Sequence, residues 1–573
     1  MKYNYSVLQL PDIKKQQDSD VLFGDMGNKQ DSSPKGSIRI QSIEIKDFKS
    51  VDHGYIELFP IGKKKTTGKS NILALYGQNG SGKTTVIQVL YLLKLIMMGE
   101  ELPDEAGRMI KQGKESANIR IVFEYNREGE EIIEYITYSF SLAPSYYDDG
   151  ETETVQICNE VISLCKRDAK GKLIEKTRKL FDTNSNNKIL NTSVIELDVR
   201  QVYDNTIRKE RFQIEKGGDQ VFHGNRDDAV EYGASVLFYQ GLDWIDDIGY
   251  GHLGEEDEAL AVVPNRYSYI NLLKSFAKQY LFVAGANLFN AFSDSSAPLL
   301  LRRGFVETHV GDEVSMNQVL YIARCLVPLN KVLSAIIPGL IIDIKTRINY
   351  QILEEQLGYH VENNNTLFEK LNENLDVLVR RIMAFDNIES LKNYDENNAF
   401  SDPFVRIIDR RDDSNRFFNI EFYSRRGNTV TPLDDESEGI KHIIYDLDLF
   451  IAAYNDPGVT VAIDEFDAGV FEYLLGELLK TFEQHGKGQL IFTSHNLRPL
   501  EVLDRSFICF TTTNPENRYI RMKYINQTNN LRDVYYRQIL VGEQNEDLYD
   551  YVNSYELMEA LDWAGEGNEQ SET

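Results

Sequence analysis

Apolar and polar positions change period several times along the chain. From Ser37 they alternate, in IRIQSIEIKDF and then GYIELF, the period-two pattern of half-buried strands. The continuous apolar run NILALY follows, then a glycine-rich turn, then Val86, Ile87, Val89, Leu90, Leu92 and Leu93. That last run predicts a helix apolar on nearly all faces, which suits burial between two layers. Alternating runs return at 119–125, 131–142 and 154–165 with short polar connections, and predict an antiparallel layer. Residues 166–233 are polar without a clear period. Between about 256 and 396 the pattern is helical: Leu367, Leu371, Leu375, Leu378, Ile382 and Phe385 form one stripe, read as a helix packed on its neighbours. Strand-like FVRIIDR and FNIEFYS come next, then a helix starting near Ser437, the strand VTVAID, another helix and the strand QLIFTS. This last alternation is a βαβ pattern with buried parallel strands.

The glycine-rich turn reads Gly77-Gln78-Asn79-Gly80-Ser81-Gly82-Lys83-Thr84-Thr85. It matches the phosphate-loop pattern GxxxxGK[ST] and lies between a strand and a helix, where the chemistry needs it. Glycines let the backbone curl so that its N–H groups face phosphate oxygens, and the helix N-terminus favours negative charge. Lys83 is expected to reach the β- and γ-phosphates of ATP, and the Thr84 hydroxyl to hold magnesium. The strand ending at Ile463 is followed by Asp464 and Glu465. Asp464 is expected at the magnesium and Glu465 as the base that deprotonates the attacking water. The neighbouring strand ends in Ile491-Phe-Thr-Ser-His495. His495 alone is an ordinary strand-end histidine; beside the other two motifs it becomes a candidate γ-phosphate sensor.

These motifs resemble those of the SMC, RecF and OLD-like ABC-type ATPases. The likeness rests on the opening strand ending in Phe48-Lys49-Ser50, on the Asn-Gly-Ser-Gly-Lys loop, and on the order of the later motifs. Glu436-Ser437-Glu438-Gly439 resembles the ABC signature, although the usual run is Leu-Ser-Gly-Gly. Ser437 lies 27 residues before Asp464. Asp467 and Gly469 fall where the D-loop belongs, and His495 matches the switch histidine. The resemblance implies an α/β fold: an ABC-type P-loop ATPase head of two lobes separated in sequence, with a mostly helical insertion. It also implies a homodimer or higher oligomer in which two heads sandwich ATP, Ser437 and Gly439 of one subunit meeting the γ-phosphate bound by Lys83 of the other. Without the resemblance Ser437 reads as a helix N-cap. A Q-loop glutamine close to the metal is expected as well, with Gln240 the candidate. The expected division is an arm at 1–36, an N-terminal lobe at 37–165, an insertion at 166–399, a C-terminal lobe at 400–515, and an extension at 516–573 with a frayed tail, GEGNEQSET.

Charge narrows the partners. The net charge is −28 in 573 residues, so nucleic acid could be met only through local basic patches. Candidates are Lys63, Lys64, Lys65 and Lys69, and the pairs Arg302–Arg303, Arg380–Arg381 and Arg425–Arg426. A basic protein partner fits the acidity better. Cys158, Cys165, Cys325 and Cys509 form no CxxC pair, which predicts free thiols in a reducing cytoplasm. The run Val86–Met98 is too short to span a bilayer, and no membrane association is expected. Only 78 residues follow His495, too few for the Toprim nuclease of full OLD proteins. The pattern resembles stand-alone ATPase subunits of the Septu and PARIS phage-defence systems, which implies a separate effector, a nuclease or toxin. A RecF- or SMC-like role in DNA repair or maintenance is the alternative.

Overall fold

The structure is a computed structural model. It describes residues 36–59, 71–127, 129–146, 153–182, 238, 267–284, 313–314, 316–348, 379–380, 383–384, 418–522, 530–541, 546–550 and 553–569. The helical stripe from Leu367 to Phe385 falls largely outside these residues, as do FVRIIDR, Gln240 and the lysines at 63–69.

The alternating N-terminal pattern forms the hairpin β1 (Gly36–Phe48) and β2 (Val51–Glu57). β3 (Asn71–Tyr76) leads through the glycine-rich loop into α1 (Lys83–Met98). Gly99, left-handed at φ 76°, ends that helix by donating its N–H to Ile96, the usual C-terminal use of glycine. β4 (Ala117–Arg127), β5 (Ile132–Tyr146), β6 (Glu153–Asp168) and β7 (Leu173–Asp182) then extend the hairpin into an antiparallel sheet of order β2-β1-β4-β5-β6-β7. The antiparallel layer is as expected, but it runs past 165 to Asp182.

Beyond it come α2 (Tyr267–Ser275), β8 (Leu281–Ala284), β9 (Glu313–Val314), α3 (Met316–Ile336) and β10 (Leu340–Ile348). β11 (Phe418–Arg426) pairs antiparallel with β10, with β9 and with β12 (Thr429–Pro432) in a small separate sheet. α4 (Glu438–Asn455), β13 (Thr460–Ile463), α5 (Glu472–His485), β14 (Gln489–Thr493), α6 (Arg498–Val502), β15 (Ile508–Thr511) and β16 (Tyr519–Ile520) follow. α7 (Leu531–Val541) and α8 (Ser554–Glu569) complete the described chain.

The central sheet has the order β16-β15-β3-β14-β13-β8, parallel throughout except for β16. β13 and β14 are parallel, as the βαβ pattern predicts, in register Thr460↔Gln489. Two segments depart from the expected division. β8, from the middle of the presumed helical insertion, is an edge strand of the central sheet, beside β13. β16 and α7, from the presumed extension, belong to the same body, where Tyr519, Leu531 and Tyr535 are buried. The segment GEGNE, read as frayed, is helical to Glu569.

Strand periodicity explains the layering. Leu73 and Leu75 point to the cluster that contains α1 and the antiparallel sheet. Ile72, Ala74 and Tyr76 point to the opposite cluster, with Phe450 of α4 and Leu475, Leu479 and Phe482 of α5. β3 is therefore buried on both faces, the reason its sequence is continuously apolar. The two sheets are joined by a buried polar group. Gln489 donates to the Ile40 carbonyl and accepts from the Ile40 N–H, each at 2.8 Å, and also accepts from the Thr460 hydroxyl at 2.8 Å.

Candidate nucleotide site

The phosphate loop sits at the carboxyl end of the parallel strands, where ligands of α/β sheets gather. Gly80 and Gly82 are left-handed, at φ 77° and 94°, conformations that a side chain resists. The loop is braced from behind by the neighbouring strands. Tyr519 donates its hydroxyl to the Gly82 carbonyl at 2.8 Å, and Ser81 and Thr511 share a 2.5 Å hydroxyl contact. Thr511 also donates to the Tyr76 carbonyl at 3.1 Å. Lys83 is 6% exposed and spans the loop, donating to the carbonyls of Gly77 at 2.7 Å and Gln78 at 2.9 Å. Burial lowers its pKa below the ordinary lysine value, opposed by the carboxylates of Asp464, Glu465 and Asp467. Asn79 is exposed, whereas Thr85, at the first turn of α1, is buried.

β13 and β14 supply the opposite wall. Asp464 Oδ1 accepts from Thr493 at 2.6 Å and from Thr84 at 3.2 Å, across 380 residues of sequence. Thr493 Oγ1 in turn accepts the Glu465 N–H at 2.7 Å. Glu465 is exposed and held at φ 53°, a costly region for a residue with a side chain and one that clusters at functional sites. Thr493 thus fixes both carboxylate residues at once. Sequence reading named its neighbours but missed it; its place at the end of a buried strand beside a carboxylate pair was the available signal.

Asp467 links the D-loop position to the strand-end histidine. Its Oδ2 accepts the N–H groups of His495 at 3.0 Å and Asn496 at 2.7 Å. Its Oδ1 is buried without a hydrogen-bond partner among the described residues. The His495 side chain is exposed. Ser437 stands at the N-cap of α4, but its hydroxyl makes no capping bond. Its carbonyl accepts from Ile440 and Lys441 instead, and the residue is exposed. The preceding Glu436 is anchored to Ser424 and Arg426 of β11. Gly439 packs directly on the backbone of Gly469. Lys49, left-handed at φ 51°, donates to Gln88 of α1 at 2.9 Å. Burial lowers its pKa, opposed by the charge of Asp464.

The residues fit a nucleoside triphosphate with magnesium. Lys83 and the loop N–H groups suit phosphate, and the Thr84 hydroxyl with the Asp464 carboxylate forms a hard oxygen pair of the kind magnesium takes alongside phosphate oxygens. The single chain does not bring Ser437 and Gly439 to Lys83 through any contact among the described residues.

β3, the glycine-rich loop and α1 together have the strand–loop–helix arrangement of a phosphate-binding loop, with paired carboxylates at the end of a parallel strand and a second, antiparallel sheet behind. Residues 42–227 match the family model described as AAA domain. The chain is similar to the Smc head domain of Pyrococcus furiosus solved with the C-terminal domain of ScpA, at 14% identity over 85% of this chain and 96% of that one, TM-score 0.30. It is similar to the SMC head domain from Thermotoga maritima, at 14% identity over 85% and 100%, TM-score 0.29. The recombination mediator protein RecF of the RecFOR pathway is similar at 12% identity over 83% and 98%, TM-score 0.29. Among curated proteins, none matches. No helix among the described residues is long and apolar enough to cross a membrane.

Proposed function

We propose that this protein binds ATP with magnesium, hydrolyses it, and uses that cycle to gate assembly with a separate effector protein. The observation that carries the enzymatic part is the joined set Lys83, Thr84, Asp464, Thr493 and Glu465. Lys83 binds phosphate oxygens in place of the loop carbonyls it now holds. Thr84 and Asp464 would hold the magnesium, which would supply positive charge against the phosphate negative charge that develops on transfer. Glu465 takes a proton from the attacking water, with its backbone fixed by Thr493. Asp467 holds the backbone of His495, so that the sensor histidine and the D-loop move together. Head-to-tail pairing of two chains brings Ser437 and Gly439 of one to the γ-phosphate on the other, which the exposed, non-capping Ser437 hydroxyl supports.

A protein effector is favoured over DNA by charge and by α8. Among the basic pairs, Arg425 is engaged with Asp343 and Arg426 with Glu436, each at 3.5 Å. α8 exposes Leu557, Met558, Leu561 and Trp563 beside Glu556, Glu559 and Asp562, and its sequence has no basic residue. An exposed apolar and acidic helix suits a groove with a basic rim. We place the protein in anti-phage defence in a cytoplasmic setting, with a nuclease or toxin as effector. The test is recovery of the Glu465→Gln protein from its native host with ATP, with bound protein and nucleic acid both quantified. A stoichiometric protein encoded nearby supports the proposal; DNA without such a protein turns it to repair or maintenance.

A further inference from the structure

The phosphate loop is gripped by a segment that comes hundreds of residues later. Residues 546–550 lie against the turn between β15 and β16. The Thr513 N–H donates to the Asp547 carbonyl at 2.8 Å, and the side-chain amides of Asn514 and Asn517 each donate to Glu546 at 2.9 Å. Leu548 is 1% exposed and sits in the core behind the central sheet. These anchors fix Asp550 beside the loop. Gln78 Nε2 donates to Asp550 Oδ2 at 2.6 Å, and the Asp550 N–H donates to Gln78 Oε1 at 2.7 Å. The Gln78 amide is thus used at both ends, in a closed ring of two hydrogen bonds across 472 residues.

The backbone of the same residue faces the phosphate side. The Gln78 carbonyl accepts from Lys83 Nζ at 2.9 Å and from Ser81 Oγ at 2.6 Å. One residue therefore joins the strap outside the loop to the lysine inside it. Fixing its side chain restricts the loop before ligand arrives, and a pre-organised site loses less conformational freedom on binding.

We propose that Asp550 is a positioning residue of the nucleotide site, and that the 546–550 strap tightens ATP binding by holding Gln78. This rests on the reading of the loop as an ATP site. Asp550 is exposed, so its replacement does not open the core. The test uses the full chain with magnesium and a fluorescent ATP analogue, comparing wild type with Gln78→Ala, Asp550→Ala, Asp550→Asn and the double alanine variant, each checked by thermal unfolding. Each single alanine variant is expected to weaken binding by about threefold to tenfold, the scale of one net hydrogen bond or slightly more. The double variant should be no weaker than either, because both break one ring. Asp550→Asn keeps an acceptor and the N–H and should bind as wild type does. In turnover assays the loss should fall on KM rather than kcat. Wild-type affinity in Asp550→Ala, additive effects, or failure of the asparagine variant to rescue overturns the proposal. Absence of binding by the wild type is a different result, and removes the ATP reading itself.

Discussion

Gly439, in the first turn of α4, lies backbone to backbone against Gly469, just after the carboxylate pair. A Cβ on Gly439 would stand 2.5 Å from the Gly469 carbonyl oxygen and 3.1 Å from its Cα. Gly469 is itself left-handed at φ 68°. The signature-like segment and the D-loop position are therefore one packed unit. Gly439→Ala should push the D-loop aside, costing about 1–3 kcal/mol of stability through overpacking. Turnover should fall by on the order of a hundredfold, as misplacement of a catalytic group does, while ATP still binds. Thermal unfolding, phosphate release and nucleotide binding measured together check this.

Lys83→Ala should abolish ATP binding, since the loop would then face phosphate without its buried cation. Tight binding retained by that variant rules out the assigned site. Glu465→Gln should bind ATP and lose turnover by roughly 10²–10⁴-fold, the usual contribution of a general base. It should also accumulate as an ATP-bound dimer, visible by light scattering.

Magnesium removal tests the contact between Thr84 and Asp464. With magnesium, ATP at a hundredfold excess over its Kd should stabilise the wild type by about 2.7 kcal/mol. EDTA should remove most of that gain. Asp464→Ala should show a small gain in either condition, and a magnesium-dependent gain of wild-type size would exclude Asp464 as a ligand.

Gln489→Leu tests the join between the two sheets. It leaves the Ile40 N–H and carbonyl without their partner, in a site where Gln489 itself is 0% exposed. A loss of about 3 kcal/mol or more is expected from buried groups left unsatisfied, read from denaturant unfolding. An unchanged midpoint would mean that the Gln489 bonds contribute nothing to holding the sheets together, leaving that to apolar packing and to links such as Arg39 with the Pro457 and Lys487 carbonyls.

The parts legible in sequence were those whose chemistry is local. Gly77 to Thr84 is one contiguous motif, and Asp464 with Glu465 follows an apolar strand directly. The antiparallel layer was legible because β4, β5 and β6 alternate over long runs. β8 was not: four apolar residues, Leu281 to Ala284, carry no period that separates a strand from a helix. β16 is two residues long and is defined by its pairing with β15. Gln78 with Asp550 and Ser81 with Thr511 leave no local signature either, because each contact joins points hundreds of residues apart. Gln240 falls outside the described residues, and the Q-loop position remains an expectation from resemblance.

The strand order also sets a timetable for biosynthesis. β3 carries the phosphate loop, yet the strand that flanks it at Asn71 begins at Gln489, 418 residues later. At roughly 5–20 residues per second, the ribosome needs about 20–80 s to supply that neighbour. During this interval β3 and the apolar α1 exist without the strands that bury them. A nascent chain with so long a wait depends on holding its first lobe soluble through the antiparallel sheet, which closes from contiguous sequence. Codon usage or chaperone capture across residues 183–417 should consequently affect the yield of active protein more than comparable changes after β14.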